Sequence, residues 1–362
     1  MAVCAIFLGA WAASAQALPK TFWGVVPQQA PSTSQFQRLK RGGVGSVRIP
    51  IAWNAIQTTQ AGTPDWSGVD AVVKGAAMAG IDVLPFVYGA PPWAVATSTS
   101  ISSRPPVTLP VKNSAQRTAW SSFLTLAVER YGPTGTFWSE NPTVPFDPIH
   151  YWQIWNEENF FYFVARPNPV DYGKLVKISA TALHAVDPTA KVVLGGLFAR
   201  PIQAQWKVQP PKAYFATDFL EKMYRATPGI KSSFDAVALH PYTGIYQSLT
   251  PEIEEVRSVL SASHDATVPL WITELGWSSE RPSGGTDGFS KGAAGQAAQL
   301  KGAFTLLRDN RTKWHIERAY WFSVDDQPGV CNFCNGSGLF GPNFTPKKSW
   351  YAYVKLTGGN PN

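Results

Sequence analysis

Two short apolar runs of this sequence end in a carboxylate. One reads His150-Tyr151-Trp152-Gln153-Ile154-Trp155-Asn156-Glu157-Glu158-Asn159, the other Leu270-Trp271-Ile272-Thr273-Glu274-Leu275-Gly276-Trp277. An ionised carboxyl at the end of a buried strand is expensive without a task or a partner. Two of them facing one mouth can split an acetal. One protonates the departing oxygen, and the other attacks the anomeric carbon or activates a water that does so. For a single glutamate, a salt bridge with an arginine competes as an explanation. For Glu157 and Glu274 together the chemical reading is preferred. If the second carboxylate is a nucleophile, the two should lie ~5–5.5 Å apart, closer than the gap that admits a water.

The pair needs parallel strands that end on one side. Eight apolar runs fit: Phe22–Val26, Val44–Trp53, Ile81–Tyr88, Ile149–Asn156, Lys191–Phe198, Phe234–Tyr242, Pro269–Trp277 and Ile316–Val324. They are continuously apolar, as strands covered on both faces should be. Helical spacing lies between them. Ser114–Tyr131 carries Trp120, Phe123, Leu124, Ala127, Val128 and Tyr131 on one face and stops at Gly132-Pro133. Val170–Val186 is similar, and Thr250 is expected to cap a helix whose first residue is Pro251. Ala71–Ala79, Tyr214–Arg225, Ala293–Asp309 and Ser349–Leu356 complete the set. This predicts an α/β fold with one (β/α)8 TIM barrel over residues 18–362 and long loops on the carboxyl side of its strands. The loops are Gly89–Lys112, Arg200–Lys212 and Asp325–Lys348, with Gly132–Pro148 on the other side. No glycine-rich phosphate turn follows the first strand, which disfavours a doubly wound sheet.

Composition narrows the class. Of 362 residues, 44% are hydrophobic and only 15% charged, which excludes a disordered chain. Residues 1–17 read as a secretory signal peptide, with an apolar run Val3–Ala13 and a small-x-small pattern Ala15-Gln16-Ala17. No run is long enough for a membrane-spanning helix. Beyond residue 17 two cysteines remain, Cys331 and Cys334. In an oxidising compartment they read as a disulfide, a redox pair being the alternative. The net charge of +7 lacks the Lys/Arg runs that track phosphates, so nucleic acid is not an expected partner. The five histidines show no metal-ligand spacing, and neither a metal nor a cofactor is expected. A secreted monomer acting on a carbohydrate is the expectation.

Trp155-Asn156-Glu157 after the fourth strand and Thr273-Glu274 after the seventh resemble the signature of clan A glycoside hydrolases, retaining enzymes on (β/α)8 barrels. The chain is most similar to family 39 and its exopolysaccharide-hydrolase relatives, with family 5 next. The resemblance implies Glu274 as nucleophile, Glu157 as acid/base and Asn156 on the sugar hydroxyl beside the anomeric carbon. It implies Arg48 as the arginine that hydrogen-bonds the nucleophile, and His240 and Tyr242 as site residues. It implies Trp321 as the sugar-stacking platform. Arg48 and His240 also have bland readings, as a barrel-end arginine and a core histidine. The sequence departs from the family at Glu158, where proline often follows the catalytic glutamate, so Glu158 stands as the fallback for Glu157. Trp53, Trp93 and Trp277 also sit at or beyond strand ends, where rings can stack on a pyranose or simply pack. A transglycosylase using the same pair and an inactive carbohydrate-binding barrel are the rival functions.

Overall fold

In a computed structural model the described residues are 18–95, 108–200, 210–281, 288–329 and 334–362. The predicted signal segment and Cys331 lie outside them. The strands are β1 (Trp23–Val26), β2 (Ser46–Ala52), β3 (Asp82–Tyr88), β4 (Tyr151–Ile154), β5 (Lys191–Phe198), β6 (Ala236–His240), β7 (Leu270–Ile272) and β8 (Ile316–Phe322). All neighbours pair in parallel, and β8 closes on β1. The expected (β/α)8 barrel is therefore what the chain forms. Its α-helices are α1 (Thr33–Arg41), α2 (Trp53–Ile56), α3 (Ser67–Ala79), α4 (Ser114–Tyr131), α5 (Thr136–Glu140), α6 (Pro169–Val186), α7 (Ala216–Ala226), α8 (Leu249–Ala262), α9 (Gly292–Asp309) and α10 (Lys348–Thr357).

Helices α1 and α8 depart from expectation. Helix α1 is not signalled by its apolar residues, because only Phe36 and Leu39 are buried. Its start is written in a capping box instead: Ser32 N donates to Gln35 Oε1 (2.7 Å), and Gln35 N donates to Ser32 Oγ (3.4 Å). Helix α8 begins at Leu249, after a single turn at Tyr246–Ser248. Thr250 is thus not its cap. Pro251 still falls in the first turn, where its missing N–H breaks no helical bond.

Strand alternation sorts the core into two layers. Outward residues such as Val25, Val47, Val87, Ile154, Leu239 and Ile272 pack under the helices. Inward residues include Val26, Leu84, Val193, Ala236, Ala238, Trp271, Tyr320 and Phe322. Near the amino end of the strands the lumen is plugged by Arg318, whose guanidinium lies over Tyr151 (4.7 Å) and Trp271 (4.3 Å) and pairs with Asp82. The helices cover the outside and the plug closes the floor, which leaves the carboxyl mouth open for chemistry. Among the described residues no helix is long and apolar enough to cross a membrane.

Candidate active site

At the mouth, β2 supplies Arg48, which is wholly buried. Its guanidinium makes three donations of 2.6 Å each. Nη1 donates to Glu274 Oε1, Nη2 to Asn156 Oδ1 and Nε to Gln153 Oε1. Its carbon lies 4.0 Å from the centre of the Phe86 ring, which closes the side that carries no acceptor. A planar fork with five N–H groups suits this three-way clamp, whereas an ammonium would not reach all three partners.

Glu274 lies two residues past β7. Its Oε1 takes the Arg48 bond, and its Oε2 accepts from the Tyr242 hydroxyl at 2.8 Å. Burial raises its pKa; Arg48 and the Tyr242 bond pull the other way and favour the ionised form.

Glu157 lies three residues past β4, which ends at Ile154 rather than running on to Asn156 as predicted. The chain then leaves the strand through left-handed backbone at Trp155 (φ 73°) and Glu157 (φ 43°). Non-glycine residues adopt that conformation at a cost, and it collects at functional sites. Glu157 Oε1 shares a 2.9 Å hydrogen bond with His240 Nδ1, and His240 Nε2 shares one of 3.0 Å with Thr273 Oγ1. Burial, then the neighbouring Glu274 charge, pushes the Glu157 carboxyl well above the usual range. Burial and Arg48 hold the His240 imidazole well below its own, so it is neutral.

Ligand atoms of Glu157, His240 and Glu274 all lie within 4.8 Å of one another. Such a trio has metal-ligand spacing, but the Arg48 guanidinium 2.6 Å from Glu274 already supplies its cation. Two carboxyls face each other; among the described residues one is held by a cation and a phenol and the other by a neutral imidazole. Their environments push the two protonation equilibria apart, which is the arrangement that separates a nucleophile from an acid.

The structure thus brings Arg48, Asn156, Glu157, His240, Tyr242 and Glu274 into one cluster. The tryptophans are another matter. Trp321 is wholly enclosed on the helix side of β8, between Trp277 (6.1 Å) and Phe304 (6.2 Å), with Nε1 donating to the Ser337 carbonyl (3.0 Å). Arg318, Tyr320 and Phe322 face the lumen, so alternation turns Trp321 outward. Trp277 is equally buried, its Nε1 donating to the Thr243 carbonyl (2.8 Å). Trp53 opens α2 and stacks on Phe123 of α4 (5.4 Å). These three are packing residues and not sugar platforms. Trp93 is half-buried, edge-on to Trp53 (5.3 Å), with Nε1 donating to the Gln57 carbonyl (3.1 Å).

Phe322, Phe198 and Phe289 stand edge-on around Tyr242 at 6.0–6.5 Å. None of the three was expected at the site, although Phe322 follows from the β8 alternation once its register is known. Gln153 was also missed. A polar residue inside an otherwise apolar strand was its only signal. Glu158 is fully buried and turned from the mouth toward β5, so it cannot serve as the acid. Cys334 is buried; its expected partner Cys331 is outside the described residues.

Comparison with known proteins adds a family match over part of the chain. Residues 198–351 match the family described as glycosyl hydrolase catalytic core, a stretch that holds His240, Tyr242 and Glu274. Similar solved structures include a family 39 glycoside hydrolase from Bacteroides cellulosilyticus, 20% identical with a TM-score of 0.66, covering 94% of this chain and 64% of that one. Others are a monomeric β-xylosidase from Caulobacter crescentus (18%, 0.61, 93% and 67%) and an intracellular xylanase from Thermoanaerobacterium saccharolyticum (14%, 0.60, 92% and 95%). The chain therefore spans less than two thirds of the Bacteroides enzyme, and likeness at these identities shows the fold. The match covers less than half of the chain, so what stands is a (β/α)8 barrel whose carboxy-terminal part matches a glycosyl hydrolase catalytic core.

Proposed function

We propose that the protein is a secreted retaining glycosidase with Glu274 as nucleophile and Glu157 as acid/base. The observation that carries this reading is the asymmetric pair: carboxylate oxygens within 4.8 Å, with Glu274 alone clamped by Arg48 and Tyr242. Retaining enzymes hold their carboxyls ~5–5.5 Å apart, and inverting ones leave a wider gap for water. An ionised Glu274 oxygen attacks the anomeric carbon while the Glu157 proton passes to the leaving oxygen. With His240 bonded to Oε1, Glu157 Oε2 is the oxygen left to carry that proton. Water then attacks the glycosyl-enzyme, Glu157 takes its proton, and Glu274 departs as carboxylate. Asn156, whose Oδ1 accepts from Arg48, bonds the neighbouring sugar hydroxyl in this reading.

The leader-like residues 1–17 support export, and export in turn supports a Cys331–Cys334 disulfide. A monomer acting on a poly- or oligosaccharide is part of the same reading. A binding-only barrel would need neither glutamate, and the built clamp around Glu274 speaks against it. A transglycosylase differs only in the acceptor that meets the glycosyl-enzyme, and added sugar acceptors would reveal it as new products.

The test compares wild type with Glu274→Gln on aryl glycosides and polysaccharides, β-xylosides first because xylosidases and a xylanase share the fold. Wild type should release product with the starting anomeric configuration by NMR, and the variant should be slower by several powers of ten while remaining folded. Equal rates, or an inverted product, would overturn the assignment.

A further inference from the structure

Behind the acid/base lies a second acidic side chain that the chemistry does not use. Glu158 is wholly buried, and its carboxyl rests under β5 where Gly195 has no side chain. A Cβ at Gly195 would stand 1.9 Å from Glu158 Oε2. The next residue makes the same kind of room on the lumen face, because a Cβ at Gly196 would stand 1.9 Å from His240 Nε2. Alternation puts these adjacent glycines on opposite sides, and a register shift between Val193 and Gly196 in the pairing of β5 with β6 sets which of them faces the lumen. The outer side is tied down as well. Gly195 N donates to the Tyr172 hydroxyl (2.6 Å), which donates to the Ile154 carbonyl (2.9 Å) just before the left-handed turn. On the inner side, Glu157 N donates to the Gly196 carbonyl (3.2 Å).

We propose that Glu158 and the Gly195–Gly196 bulge are positioning elements for the acid/base. Gly195 seats the Glu158 carboxyl, Gly196 seats His240, and the two together hold the left-handed turn that aims Glu157 at Glu274. This rests on the glycosidase reading and on Glu157 as its acid. Burial pushes the Glu158 carboxyl up to about 8, so it is neutral at pH 7 and glutamine is its near-isostere.

The readout is leaving-group dependence, since an acid matters most when the departing oxygen is a poor leaving group. The 4-nitrophenyl glycoside that wild type cleaves identifies the sugar. Its phenyl and 2,4-dinitrophenyl counterparts are then compared across E157A, E158A, E158Q and G195A. E158A and G195A should lose about a hundredfold in kcat/KM on the phenyl glycoside, the scale expected of a 1 Å misplacement. They should lose only a few-fold on the dinitrophenyl one, and E158Q should recover most of the E158A loss. G195A keeps the carboxyl in the chain but fills its seat, so it carries the test if E158A does not fold. Equal losses on both substrates, or none, beside a leaving-group-dependent E157A would overturn the positioning role and leave the glycosidase reading standing. A flat E157A, or a wild type that cleaves nothing, would overturn that reading and the proposal with it.

Discussion

Arg48 distinguishes the two glutamates, because it bonds Glu274 directly. It sits in a strand that reads Ser-Val-Arg-Ile-Pro-Ile-Ala, where a charge is tolerable only because three acceptors and an aromatic face meet it. Two substitutions separate its charge from its shape. Arg48→Lys keeps the cation but loses the fork, and should lower kcat/KM about a hundredfold, from losing one or two charged hydrogen bonds. The acid limb of its pH profile should stay in place. Arg48→Met removes the cation beside Glu274, so that carboxyl moves further up and the acid limb should shift to higher pH. A Met variant with an unmoved acid limb would mean that Arg48 does not set the ionisation of Glu274. Glu157 and Glu274 stood out in the sequence because strand-end carboxylates form a pattern, and Asn156 came with the family resemblance. Gln153 and Thr273 were not assigned roles, since their parts consist of bonds to residues 105 and 33 positions away.

The element that misleads most is β8. Its run Ile-Glu-Arg-Ala-Tyr-Trp-Phe offers three adjacent aromatics, and which of them face the lumen depends on parity alone. Pairing with β1 sets Trp321 beside Val25 and Phe322 beside Val26, and Val26 faces the lumen. Trp321→Ala should therefore behave as a core truncation, costing about 3–5 kcal/mol of stability. Phe322→Ala should spare more of the stability and raise KM, as expected of a ring beside Tyr242 at the mouth. Chemical denaturation and steady-state kinetics on the two variants check this. The reverse pattern, with KM rising for Trp321→Ala alone, would restore Trp321 as the sugar platform. The fourth strand errs in another way. Its apolar run continues to Trp155, but the chain turns left-handed there, and periodicity does not report where a strand gives way to a strained turn.

At the scale of the whole molecule, buried acids make stability depend on pH. Glu158 and Glu252 are both pushed up to about 8 from an ordinary 4.5, chiefly by burial. Between those values each is neutral in the folded chain and ionised in the unfolded one. The unfolded state then binds fewer protons, so stability falls as pH rises through that window and is unaffected below it. A shift of this size corresponds to at most about 5 kcal/mol per group. The urea midpoint should drop from pH 5 to pH 8.5, and Glu252→Gln should narrow the difference. A midpoint that does not fall with pH would show that these groups ionise in the folded protein as freely as in the unfolded chain. What the sequence determined by itself was the architecture and the candidate pair of carboxylates. Eight runs buried on both faces, separated by helical spacing, admit few solutions, and a barrel sends every strand end to one mouth. Only the tertiary structure decided which tryptophans pack, where β5 bulges and how Arg48, Tyr242 and His240 distribute their bonds over two chemically identical carboxyls. Those outcomes depend on register and on contacts between distant strands, and a local pattern of residue types carries neither.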